Sequence, residues 1–192
     1  RMTTSATGGP LTPTNSPAPL EGDALANFFH DWFVGLTGLP ANMVRPRWQP
    51  EPAALPQVGT DWLAFGITNR ASDVNAAELH VPSGAGYNEL RRHEVLTIMV
   101  SVYGPNADSF IEVLRDGMQL GQNREVLVLA AMGLVESGDV VSAPELIKDK
   151  WYYRTDMSIR IRRQIVRQYA VETLQSANIG LNNEHYITQI IV

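Results

Sequence analysis

The chain has 192 residues, a formal charge of −5 and no cysteine, which fits one domain with extensions and excludes disulfides, thiolate metal sites and cysteine nucleophiles. Hydrophobic residues at 44% and charged residues at 18% allow a real core, while the acidic balance argues against a general nucleic-acid binder. No apolar run approaches the ~20 residues of a membrane span and no signal-type core opens the chain, so a soluble, unprocessed protein is expected.

Arg1–Leu20 is rich in Thr, Pro, Gly, Ser and Ala and has little to bury. It reads as a flexible arm that orders only by lying on another surface, such as a neighbouring subunit. A helix follows over about Gly22–Leu36, where Leu25, Phe28, Phe29, Trp32, Phe33 and Leu36 form one apolar stripe. Asp23 suits its N-cap or first turn, and Gly38 with Pro40 stops it. Met43–Trp48 is extended, with Pro46 confining it to an edge. Pro50, Pro52 and Pro56 mark a loop, and Trp62–Thr68 alternates as a strand in which Gly66 signals a bulge or a close backbone approach. Asp73–Tyr87 is polar and reads as a hairpin connection. Glu89–Tyr103 is the clearest strand, apolar on both faces and so central in the sheet.

Gly104–Asp108 opens a helix that buries Phe110, Ile111, Leu114 and Met118, and Gly121 breaks it. A second helix spans Asn123–Met132, closed by Gly133, and Leu134–Ser142 is a strand. Pro144–Lys150 reads as a turn or helical segment. Tyr186–Val192 is a terminal strand without charge. The order predicts an α+β fold, an antiparallel sheet with helices packed on it. Residues 1–20 form an N-terminal arm, 21–174 the domain and 175–192 a C-terminal extension.

Trp151–Val171 alternates over its whole length, which at ~3.3 Å per residue would reach roughly 65–70 Å. A compact domain of this size is only about 40 Å across. The strand must therefore bend, or part of it must pair with another subunit. Arg163 and Arg167 interrupt its apolar row. Pro144–Ala170 holds seven basic and three acidic residues, so this segment is +4 and the remainder −9 within the chain's −5. Arg154, Arg160, Arg162, Arg163 and Arg167 admit three readings: a solvated face, pairing with acids of a neighbouring copy, or contact with DNA phosphates in a channel.

His30, His80, His93 and His185 share no metal-ligand spacing, and no phosphate-binding glycine loop or nucleophile elbow is present. No enzyme activity and no cofactor or metal is expected. A small soluble enzyme is the remote alternative.

Thr37–Pro40, Val44–Pro52, Asp61–Thr68, Arg92–Glu94, Tyr103–Asn106, Leu114–Gly117, Gly121–Arg124, Ala143–Leu146 and Met157–Arg167 form an ordered run. Together they resemble the neck or tail-terminator proteins of contractile-tailed bacteriophages, over about Leu25–Tyr169. The resemblance implies a structural virion protein forming a homo-oligomeric ring, usually a hexamer, on the head-proximal end of the tail tube. Such a ring stops tube polymerisation and docks the head-completion or connector protein, with the sheath protein as a further contact. Genomic DNA passes through it without sequence reading, and there is no membrane partner. Its place is the tail or neck of the virion, after assembly in the host cytoplasm. A head–tail connector or tail-tube component of the same virion is the alternative. Residues expected at a subunit interface or channel are Arg154, Arg160, Arg162, Arg163 and Arg167, with Arg45, Arg47 and Trp48 of the edge segment.

Overall fold

In a computed structural model of the chain, residues 8–14, 19–51, 53–147 and 149–173 are described. The expected C-terminal strand and most of the N-terminal arm lie outside them. The described elements are α1 (Gly22–Thr37), a 3-10 turn (Ala41–Met43), β1 (Val44–Pro46), β2 (Trp62–Ser72), β3 (Ala77–Val81) and β4 (Tyr87–Tyr103). They continue with α2 (Ala107–Gly117), α3 (Gly121–Leu129), β5 (Met132–Ser142), β6 (Glu145–Ile147), β7 (Lys150–Tyr152) and β8 (Arg154–Tyr169). The fold is α+β. Its main sheet runs β1-β2-β4-β8-β5, with β3 also paired to β4, and β6 and β7 form a separate ribbon.

The sheet is mixed rather than wholly antiparallel. β1 runs parallel to β2, with Val44 opposite Leu63 and Pro46 opposite Phe65. The proline-rich segment 47–61 provides the long crossover that a parallel neighbour requires. β2 and β4 are antiparallel from Trp62↔Tyr103 to Ser72↔Glu94, with a bulge between Ile67 and Asn69. β5 and β8 are antiparallel with two register shifts.

The chain divides into two compact units. One takes in the described residues of segments 1–18, 76–91 and 166–192; the other takes in residues 19–75 and 92–165. In the first unit β3 pairs with the opening of β4, from Ala77↔Arg91 to Val81↔Tyr87. Thr14 donates its amide to Gln168 O at 2.6 Å, and Thr173 donates to Ala85 O at 3.2 Å. His80 bridges Asn88 Oδ1 at 2.6 Å and Thr173 Oγ1 at 3.0 Å.

The second unit holds the main core. Leu25, Phe29 and Phe33 of α1, Ile111 and Leu114 of α2 and Leu127 of α3 pack on one face of the sheet. That face is built from Leu63 and Phe65 of β2, Leu96 to Val102 at alternate positions of β4, and Met157, Ile159 and Ile161 of β8. The helix-period stripes thus meet the strand-period rows that the sequence sets out. Gly38, at φ 69, closes α1 by donating to Val34 O at 2.9 Å, a left-handed cap that glycine adopts without strain.

Several boundaries differ from expectation. β3 lies inside the segment read as a connection: its Ala-Glu-Leu-His-Val alternates, but over only five residues set in a polar stretch and with almost no burial. Gly121 begins α3 instead of only breaking α2, and the turn out of α3 is made by Ala131 at φ 53, not by Gly133, which already belongs to β5. Glu145–Ile147 and Lys150–Tyr152 pair as a two-stranded ribbon where a turn or helical segment was expected. This ribbon also shortens the overlong strand: Tyr152 belongs to β7, and β8 begins at Arg154.

Arg163 occupies an inward position of β8, 3% exposed, beside Glu94 of β4 at 4%. Its Nε donates to Glu94 Oε1 at 2.5 Å, and Nη1 donates to Leu20 O. Nη2 stands 2.5 Å from the same carboxylate oxygen but has no aligned acceptor. Removing one partner of a buried ion pair strands the other charge. Glu94→Ala is therefore expected to cost about 3–5 kcal/mol in urea unfolding. A loss below about 1 kcal/mol, the range of an exposed pair, would show that water reaches the guanidinium.

Candidate assembly surface

The second face of the sheet is not covered by helices, and its chemistry is different. Trp62 and Tyr103 are direct cross-strand partners on β2 and β4. Their rings stack with centroids 4.2 Å apart and 6° between planes. Arg45 of β1 lies 5.8 Å from the centroid of Trp62, and Arg154 of β8 lies 5.7 Å from that of Tyr103. Two guanidinium groups therefore bracket two stacked aromatic rings across four strands. Each such contact contributes about 0.5–1.5 kcal/mol beyond area burial.

A polar chain runs beside this stack. Arg154 donates to both carboxylate oxygens of Asp156, at 2.8 and 2.7 Å, and to Glu145 Oε2 of β6 at 3.2 Å. Ser101 donates to Asp156 and in turn accepts from Arg47. The bond to Asp156 raises the Arg154 pKa above its ordinary value, against the opposing effect of burial. Arg45 is held by neutral acceptors only, Asn42 O at 3.0 Å and Ala54 O at 2.7 Å. The Nε of Arg47 is buried without an acceptor.

Trp48 follows directly. Its backbone is left-handed, φ 57, a conformation that a bulky residue rarely adopts. The indole is nevertheless 70% exposed. The ring lies over Gly66 of β2, where an added Cβ would come 2.6 Å from its six-membered ring. Gly66 thus has the close approach the sequence signalled, and the loop lays its tryptophan on the sheet there. Arg45, Arg47, Trp48, Leu55, Trp62 and Tyr103 line a groove of about 300 Å³ containing no acidic side chain. Beyond the end of β4, Trp151 and Tyr153 are exposed around a smaller hollow with Val58 and Pro105. The backbone there is fastened without side-chain packing. Gly104, at φ 117, donates to Tyr153 O at 3.0 Å. A Cβ on it would meet Asp61 Cα at 2.7 Å and Thr60 O at 2.8 Å.

The structure thus brings Arg45, Arg47, Trp48 and Arg154 to one face. Arg160 and Arg162 lie exposed further along β8. Arg160 pairs with Glu136 of β5 at 2.9 Å, while Arg162 has no ion-pair partner among the described residues. Arg163 is buried beside Glu94, as described above. Arg167 is half-buried and belongs to the first unit. Sequence reading overlooked Trp62, Tyr103, Ser101 and Asp156. Their one signal is parity, because Trp62 is out of phase with the core pair Leu63 and Phe65. Among the described residues no group of histidines and carboxylates is placed to hold a metal, and no helix is long and apolar enough to cross a membrane.

Fold and surface together define an α+β protein whose sheet carries a cation–aromatic cluster on the face away from the helices. The chain matches the phage neck terminator protein family over residues 23–185 and belongs to that family. Its role is accordingly structural, in the neck region of the phage. No curated protein matches the chain.

Burial of the Tyr103 phenol raises its pKa above 10, although the charges of Arg154 and Arg47 act in the opposite direction. A proton held more tightly in the folded state gives stability that is complete below pH 10 and lost as pH rises through the raised value. Tyr103→Phe should therefore flatten the alkaline limb of a stability-versus-pH curve while leaving the neutral plateau nearly unchanged. An alkaline limb identical to wild type would show that Tyr103 does not titrate with unfolding.

Proposed function

We propose that copies of this chain close into a ring, most simply a hexamer, on the head-proximal end of a contractile phage tail. The ring halts addition of tail-tube protein and presents a docking surface to the head-completion or connector protein, with the sheath protein as a further contact. The genome passes through the ring as a non-specific polyanion. The chain's membership of the neck terminator family carries this reading. The exposed Trp48 beside Arg45 supports it, since tryptophan and arginine are residue types enriched at protein interfaces. Arg160 and Arg162, exposed on β8, are assigned to the subunit contact or the channel wall, as is Arg167. Arg163, buried beside Glu94, is not assigned to that contact.

Two measurements test the reading. Negative-stain images of the purified full chain should show discrete rings, and added tail tubes should carry one ring at one end. Open filaments of the chain alone would instead favour a tail-tube component. Arg160→Glu with Arg162→Glu should lower infectious yield at least about tenfold, as expected for charge reversal in a contact or a DNA path. Wild-type yield would remove both residues from the assignment.

A further inference from the structure

Two surfaces of the second unit remain unpartnered, and they complement each other. The first is the groove at the β1 margin, where Arg45 and Arg47 flank Trp48 and Leu55 with no acid in the lining. The second is the outer side of α3, which packs against β5. There Glu125, Val128 and Leu129 fall at i, i+3 and i+4 and share one stripe. Leu129 is 87% exposed, and Val128 is also exposed. Glu125 has no ion-pair partner among the described residues, and Arg124 lies on the flank of the stripe.

The placement of these surfaces is informative. β1 and β5 are the two ends of the strand path β1-β2-β4-β8-β5. The cationic groove is therefore at one margin of the sheet and the acid-headed apolar stripe at the other. One copy cannot bring them together, but a second copy can. A contact between two different patches of identical chains is heterologous, and it closes into a ring when the rotation per copy allows. Each side also supplies what the other lacks. The groove has aromatic and aliphatic walls and two guanidinium groups without a carboxylate partner among the described residues. The helix has exposed valine and leucine and a carboxylate.

We propose that α3 of one copy seats in the Arg45–Trp48 groove of the next. Glu125 meets Arg45 or Arg47, and Val128 with Leu129 packs against Trp48 and Leu55. This inference rests on the ring reading above and names its subunit contact. It also assigns a purpose to the left-handed Trp48, whose indole becomes the platform for the incoming helix.

A charge swap in the full chain, read by light scattering and native mass spectrometry, tests it. Arg45→Glu and Glu125→Arg should each weaken ring formation roughly tenfold to a hundredfold. The two variants mixed in equal amounts should recover it, because each then supplies the complement of the other's defect, and the double variant should recover it alone. Leu129→Asp, on a side chain too exposed to affect folding, should also break the ring while keeping the wild-type circular dichroism and melting temperature. Rings of wild-type mass from Glu125→Arg and Leu129→Asp would overturn the α3 contact while leaving ring formation intact. Loss in both single variants without recovery in the mixture would overturn the pairing. A wild-type chain that remains monomeric would overturn the ring reading and this contact together.

Discussion

Packing helices against only one side of a sheet is the constraint from which the other features follow. The three helices and the inward rows of β2, β4 and β8 make a continuous apolar core. Such burial is the dominant favourable term in folding, at about 25 cal/mol per Å². The opposite rows have no layer above them. They must either be polar or find cover within the chain. Near β1 the cover is a loop that lays Trp48 on Gly66 and threads Arg47 to Ser101. Toward β5 it is absent, and Arg160 and Arg162 meet solvent.

The two sides also treat charge differently. On the helical side the one buried arginine, Arg163, is matched by Glu94. This pair is costly to assemble and more costly to break, and it fixes β8 relative to β4 because both charges must be desolvated together. On the uncovered side Arg154 is shared between Asp156, Glu145 and the face of Tyr103, so the main sheet is tied to the β6–β7 ribbon by one side chain. Arg45, with only carbonyl acceptors, keeps its charge uncompensated.

Much of the scaffold was legible from periodicity. α1, β2, β4, α2 and β8 each extend over enough residues for an apolar stripe or row to declare itself. β6 and β7 are three residues each, too short for any period, and their turn depends on Asp149 at φ 60. β3 forms through backbone pairing with β4 and buries almost nothing, so its alternation, only five residues long, does not stand out from the polar segment around it. The sheet face away from the helices was half legible. Arg45, Arg47, Trp48 and Arg154 stood out by type, but their convergence depends on register, which places Trp62 opposite Tyr103. Arg163 interrupted the apolar row in sequence, but its partner could not be read because Glu94 is 69 residues away.

The join at Gly104 has an evolutionary consequence. There the chain is secured by hydrogen bonds, Asn106 N–H donating to the Asp61 carboxylate at 2.9 Å and Gly104 N–H reaching Tyr153 O. Fastening of this kind takes no account of which side chains residues 151 and 153 display, although Tyr152 between them packs against Trp62 and Tyr103. A lineage changing hosts or virion components could exchange the exposed rings of Trp151 and Tyr153 freely. The foundation beneath them would stay where it is, so that novelty of attachment and constancy of architecture are inherited separately.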